Sequence, residues 1–150
     1  MSIDVTAERL IPLPVDRVAP YAMDWRHDHE WTQGIRRAAL TREAEGGGFG
    51  VGAEVTRTAY FLRRRIDYVL RVVAHEPLRL LDMVSVAGPM PMHVTYTFAP
   101  RENGTLARIR VRGDPGGHYR LAAPLMARRV RSSIGKDLRD LERVLAARPT

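Results

Sequence analysis

Toward the C-terminus, apolar side chains recur in steps of mostly three and four, at Leu121, Leu125, Met126, Val130, Ile134, Leu138, Leu141 and Leu145. Over residues 118–147 this spacing predicts a helix with one apolar stripe, leaving Arg128, Arg129, Arg131, Lys136, Arg139 and Arg143 mostly toward water. Pro124 suits a first turn or marks a kink. Gly135 costs the helix interior about 1 kcal/mol relative to alanine. A start near Leu121 or Ala122 gives a rod of about 36–40 Å at 1.5 Å per residue. Such a stripe needs one large partner surface, and the chain between Arg36 and Gly113 reads as the sheet that supplies it.

Earlier in the chain the apolar period shortens to two. Ile3–Ile11 alternates imperfectly and predicts a first strand, stopped by Pro12 and Pro14. Pro14-Val15-Asp16-Arg17-Val18-Ala19 opens a short helix, since proline is tolerated at the first position. A second short helix is expected over residues 21–31, after Pro20, with Trp25 and Trp31 as its large contacts. Residues 35–45 predict a strand closed by the glycine-rich run 46–50. Strands follow over 53–62 and 64–75, meeting in a turn without glycine, and then over Leu80–Ala87, 92–99 and 105–113. Asn103-Gly104 predicts a type I′ hairpin turn, because both residues tolerate positive φ. In the last strand Ala107, Ile109 and Val111 are expected inward, with Arg108, Arg110 and Arg112 on the solvated face.

The order β, α, α, six β, α makes the chain an α+β protein. A bent antiparallel sheet of six or seven strands closing on the long helix buries part of the stripe. Where sheet and helix diverge, a cavity is expected.

Composition narrows the function. One hundred and fifty residues suffice for a single domain with a real core. No apolar run is long enough to span a bilayer, and residues 1–8 lack the features of a signal peptide, so a cytoplasmic protein is expected. With no cysteine, disulfides, thiolate nucleophiles and Cys-type metal sites are excluded. The net charge of +7 comes almost wholly from arginine. Those arginines are spread along strands and one helix face without aromatic interleaving, so no nucleic-acid partner is expected.

Several pieces in this order resemble the START-like helix-grip (SRPBCC) superfamily, in particular its bacterial polyketide cyclase/dehydrase and lipid-transport branch. They are Pro14-Val15-Asp16-Arg17-Val18, Trp31, Val51-Gly52-Ala53, His75-Glu76-Pro77, Tyr96-Thr97-Phe98-Ala99-Pro100, Asn103-Gly104-Thr105 and Asp137-Leu138-Arg139-Asp140-Leu141-Glu142. The resemblance implies a seven-stranded antiparallel sheet gripping the last helix, with an apolar ligand cavity between them. It fixes no reaction, since that fold serves cyclases, binders and transporters.

His27-Asp28-His29-Glu30 is the densest cluster of possible metal ligands. Two histidines two residues apart do not share a helix face, so no metal is expected; His27, four before Trp31, is the one expected inward. Gly48-x-Gly50-x-x-Ala53 matches a dinucleotide fingerprint only formally, because a strand follows where a helix should begin. Arg57 shares parity with Val55 and Phe61 and is expected to point inward. It either holds a ligand carboxylate, enolate or phenolate, or pairs with an acid such as Asp82. Tyr68 and Tyr96 have inward parity and could donate hydrogen bonds or act as general acids, or belong to the core. Met83 and Ser85 share a face, but periodicity leaves open which face of Leu80–Ala87 points inward. The candidate catalytic set is thus Arg57, Tyr68 and Tyr96. Trp25, His27, Trp31, Met83, Ser85, Met92, Leu125 and Met126 join these three as candidate ligand contacts. The function expected is binding of a hydrophobic or polyketide-like small molecule, either with cofactor-independent cyclisation or dehydration or as a noncatalytic lipid or metabolite carrier. A basic-surface interaction module is the remaining alternative, and a monomer or homodimer is expected.

Overall fold

The computed structural model describes residues 2–61, 63–116 and 121–149, with only the backbone at Phe61. Its elements run β1 (Ile3–Ile11), α1 (Val15–Ala22), a 3-10 turn (Trp25–His27), α2 (Asp28–Trp31), β2 (Ile35–Arg42), β3 (Glu54–Phe61), β4 (Arg64–Glu76), β5 (Leu80–Ala87), β6 (Met92–Arg101), β7 (Gly104–Gly113) and α3 (Ala123–Ala147). The strands form one seven-stranded antiparallel sheet in the order β1-β7-β6-β5-β4-β3-β2. This is the α+β helix-grip arrangement, with the first and second strands at opposite edges.

Alternation decides the two faces of the sheet. Ile3, Val5, Val55, Leu70, Val72, Leu81, Met83, Val94, Phe98, Ala107 and Ile109 are buried on the concave side. Leu81 and Met83 therefore settle the parity of β5, and Asp82 points to the convex side. There it accepts hydrogen bonds from Thr95 and shares one with His93, at 2.7 and 2.6 Å. Arg108 and Arg110 are on the convex face, each against a carboxylate of β1, Glu8 and Asp4, at 2.8 Å. Register shifts in the β2–β3 and β4–β5 ladders supply the local irregularity that bends a sheet.

Two local expectations are corrected. The helix predicted to begin after Pro20 does not; α1 runs through Pro20 to Ala22, and the remainder of residues 21–31 divides into a 3-10 turn and the short α2. Burial of Val18, Ala19, Tyr21 and Ala22 outweighs the proline's missing donor, and Pro20 itself faces water. The β6–β7 hairpin is not type I′, because Asn103 keeps negative φ. Gly104 is needed for another reason: its φ is +148°, and a Cβ there would meet the Ile11 carbonyl oxygen at 2.1 Å. The glycine-free turn after β3 places Arg63 at φ +67°, a conformation that a non-glycine residue rarely adopts.

Helix α3 uses only part of its stripe. Ile134, Leu138, Leu141 and Leu145 are buried, packed mainly on β1 and α2. Arg9 of β1 reaches Glu142 at 2.8 Å. Ahead of this stretch Val130 is half-buried, Leu125 is 62 % exposed and Leu121 fully exposed. The sheet holds the C-terminal half of the helix and diverges from its first turns. No helix among the described residues is long and apolar enough to cross a membrane.

The two halves of the stripe are expected to differ in energy. Leu141→Ala removes a side chain with no solvent exposure and should cost about 2–5 kcal/mol in urea unfolding. Leu125→Ala should change stability by no more than about 0.5 kcal/mol. Equal effects would mean that the helix is seated along its whole length.

Candidate functional site

Arg57 is the charged residue that the inward parity of β3 cannot avoid burying. Its side chain is 6 % exposed, and its Nε donates to Asp28 Oδ2 at 2.9 Å. A second guanidinium nitrogen donates to the Tyr96 hydroxyl at 3.1 Å. Asp28 comes from the first turn of α2 and is itself buried. Burial opposes the charge on Arg57, but Asp28, Tyr96 and Tyr68 around it outweigh this and hold the guanidinium well above its ordinary value. Burial pushes the Asp28 carboxyl up, against the pull of Arg57. Burial likewise moves the Tyr96 phenol up to about 12, so it remains a hydrogen-bond donor at neutral pH. Arg57 therefore pairs with an acid, but with Asp28 rather than Asp82, which the parity of β5 sends to the opposite face.

Arg57 forms part of one wall of a cavity, with Asp28 behind it. Beneath the part of α3 that leaves the sheet lies a hollow of about 200 Å³, lined by Arg57, Ala59, Tyr68, Met92, Val94, Tyr96, Ile109 and Val111 from the strands. Val130, Ser133, Ile134 and Asp137 face it from α3, and Thr32, Gln33 and Ile35 from the link between α2 and β2. On the far side of Arg57 the interior closes to a void of about 10 Å³ among Met23, Trp25, Phe49, Val55, Leu81 and Met83. That is at the lower limit for one water molecule.

Asp137 is the buried carboxyl that lines the hollow itself, and sequence reasoning passed over it. Its Oδ1 accepts the Gln33 backbone N–H at 2.7 Å. Burial raises it to about 6, with the Gln33 hydrogen bond and the charge of Arg57 pulling the other way. A readable signal existed: Asp137 sits within the stripe, three residues after Ile134 and four before Leu141, where every other long side chain is apolar. Thr32 is a further cavity residue of this kind. Its Oγ1 is buried and has no hydrogen-bond partner among the described residues.

The predicted site residues separate into two groups. Arg57, Tyr68, Tyr96 and Met92 come together around the hollow. The others lie elsewhere. Trp31 is buried behind the wall, its ring centroid 5.6 Å from that of Tyr96. Met83 borders the small void beyond Arg57, and the Ser85 hydroxyl accepts the Met92 backbone N–H at 2.8 Å. Leu125 is turned to solvent by the divergence of the helix, and Met126 is not among the lining residues. His27 does not face inward: it stacks on Tyr21 at 4.2 Å and shares a 2.7 Å hydrogen bond with Glu30. With Asp28 engaged by Arg57 and His29 exposed, the His27–Glu30 run does not converge on a point.

Trp25 borders a separate, open groove of about 480 Å³ with Met23, Leu40, Phe49, His75 and Leu78. The groove is larger than the hollow, but the carboxylate and guanidinium at its rim, Asp24 and Arg26, satisfy each other at 2.7 Å. The hollow holds the unpartnered Thr32 hydroxyl and the Asp137 carboxyl, and it is the candidate site.

Two measurements check this electrostatic picture. Arg57→Met leaves the Asp28 carboxyl buried without its partner and should destabilise the protein by about 3–5 kcal/mol, most of it recovered by adding Asp28→Leu. Asp137 binds its proton more tightly folded than unfolded, so its contribution to stability is full below pH 4 and is lost as pH rises through about 6. Asp137→Asn should accordingly be more stable than the parent by roughly 1–3 kcal/mol at pH 8 and nearly equal to it at pH 4.

Comparison with known proteins gives one family match and many structural ones. A protein of Thermus thermophilus, TTHA0849, superposes with a TM-score of 0.80 at 19% identity, covering 96% of this chain and 97% of its own. The Zhui aromatase/cyclase of Streptomyces sp. R1128 gives a TM-score of 0.74 at 12% identity over 95% of this chain and 93% of that one. A START superfamily protein of Mycobacterium smegmatis gives 0.68 at 9% identity, over 88% and 94%. At these identities the likeness shows the fold. No curated protein matches. The family model described as polyketide cyclase / dehydrase and lipid transport matches residues 2–146, and the chain belongs to that family.

Proposed function

We propose that the chain binds a small hydrophobic or polyketide-like molecule in the hollow between the sheet and α3. The observation that carries this reading is the composition of the lining: apolar walls of Met92, Val94, Ile109, Val111 and Ile134, with polar groups that include Arg57, Tyr68, Tyr96, Ser133, Asp137 and Thr32. Apolar enclosure with a few placed polar groups is the general character of small-molecule sites. The family description and the likeness to an aromatase/cyclase fold support the same reading.

Size limits the guest. An engineered apolar cavity of about 150 Å³ accepts benzene, so about 200 Å³ suits a molecule of one or two rings. A two-chain lipid does not fit unless Met90, Met92 and Val130 at the border move. Methionine side chains are well suited to such adjustment.

Cyclisation or dehydration is favoured over passive carriage by one observation. Asp137 is a buried carboxyl on the same lining as Arg57 and Tyr96, and burial raises it to about 6, within the range useful to a general acid or base. In this mechanism an activated C–H of a polyketone gives its proton to the Asp137 carboxylate. The enolate oxygen that forms takes hydrogen bonds from Tyr96 and Arg57, held ready by Asp28. The carbon then attacks a second carbonyl, and Asp137 returns the proton to the alkoxide. The walls fold the chain into the reacting conformer. No cofactor takes part.

Binding of an apolar fluorophore such as a naphthalene derivative checks the location. The parent should bind it, and Ala59→Trp, which fills the hollow from β3, should lower affinity at least about tenfold with the fold intact by circular dichroism. Unchanged binding in Ala59→Trp would move the site to the open groove by Trp25.

A further inference from the structure

Building on that reading, we infer that the hollow selects neutral guests bearing a hydroxyl group and rejects carboxylates, with Asp137 as the residue that discriminates. The argument starts from charge. A buried arginine facing a ligand cavity ordinarily points to an anionic ligand. Here Asp28 has already met that guanidinium at 2.9 Å with both side chains out of water. What faces the guest is the Arg57 guanidinium, its charge balanced from behind by Asp28, together with the Asp137 carboxyl on the lining of the same hollow. A guest carboxylate entering this space meets a group of its own sign, with no free cation to offset it.

Hydrogen-bonding capacity points the same way. Asp137 has one oxygen on the Gln33 N–H, leaving the other as an acceptor. Thr32 Oγ1, buried and unpartnered among the described residues, can both donate and accept. A hydroxyl head satisfies both, donating to Asp137 and accepting from Thr32. A carboxylate offers only acceptors, and a pure hydrocarbon leaves Thr32 unmatched. An ammonium head would pair with Asp137, but its remaining N–H donors would then need further acceptors to replace its water. The upward shift of Asp137 agrees with this, since the site lowers its own net charge as far as it can.

The test uses the full chain and one ring system with different heads: naphthalene, 2-naphthol, 2-naphthoate and naphthylmethylammonium, by calorimetry at pH 7.5. The expected order places 2-naphthol first, at least about tenfold tighter than 2-naphthoate. Asp137→Asn should raise naphthoate affinity about tenfold and change naphthol affinity by less than about threefold. If that variant does not fold, the parent supplies the second readout. Naphthoate affinity should rise as pH falls from 8 to 5, as Asp137 takes up its proton in the company of Asp28, Arg57, Tyr68, Tyr96, Lys136 and Asp140. Naphthoate or the ammonium binding more tightly than naphthol would overturn the inference and leave cavity binding standing. No binding of any of the four would instead overturn the cavity reading itself.

Discussion

A guanidinium cannot remain inside a curved sheet without a carboxylate, and the Arg57–Asp28 pair meets that demand from the single turn of α2. Asp28 opens α2, and the same few residues then deliver Trp31 behind Tyr96, Thr32 to the hollow and the Gln33 N–H to Asp137. One ion pair and one backbone hydrogen bond thus tie β3, α2 and α3 around a common space. The pair also decides how much of the interior stays open, since the volume on its far side is almost nil. Breaking such a pair is costly because the remaining charge cannot reach water, whereas replacing both partners with apolar groups need not be. The ionic arrangement therefore adds little to folding that leucines could not supply. In the proposed function its value lies in presenting fixed donors to the guest.

Periodicity in the sequence carried the architecture far. The two-residue alternation in β3, β6 and β7 and the three-to-four-residue stripe in α3 each follow from one face being buried, and both are visible without coordinates. The same logic placed Arg57 inward. It could not supply the partner, because a contact between residues 28 and 57 depends on how two elements dock and leaves no local trace. In β5 both faces carry comparable side chains, so the direction of Asp82 stayed open until Leu81 and Met83 were seen in the core. Leu125 misled for a related reason. Its spacing is that of a buried residue, but a stripe continues beyond the point where the sheet stops following it. Asp137 is the opposite case, a carboxyl in an apolar row that was legible and passed over. His27 was expected inward from its offset to Trp31, but the 3-10 geometry that ends at His27 turns the ring onto Tyr21 instead.

The hollow and the open groove show why size alone is a poor guide to a site. The groove by Trp25 has more than twice the volume of the hollow, yet its polar rim is internally satisfied and a guest there would stay in contact with solvent. The smaller space keeps polar groups whose capacity the protein does not use. Unmet hydrogen-bonding capacity inside a fold is expensive, and retaining it is reasonable where a visitor supplies the missing partner.

The arrangement of the strands also orders events in time. Ile3 pairs with Gly113, so β1 has no neighbour in the sheet until β7 has been made. Between them the chain must cross the full width of the sheet, from β1 at one border to β2 at the other. Contacts this distant in sequence make for slow folding. During synthesis β1 must wait with its pairing edge uncovered, and the enclosure beneath α3 exists only once all seven strands and that helix have emerged.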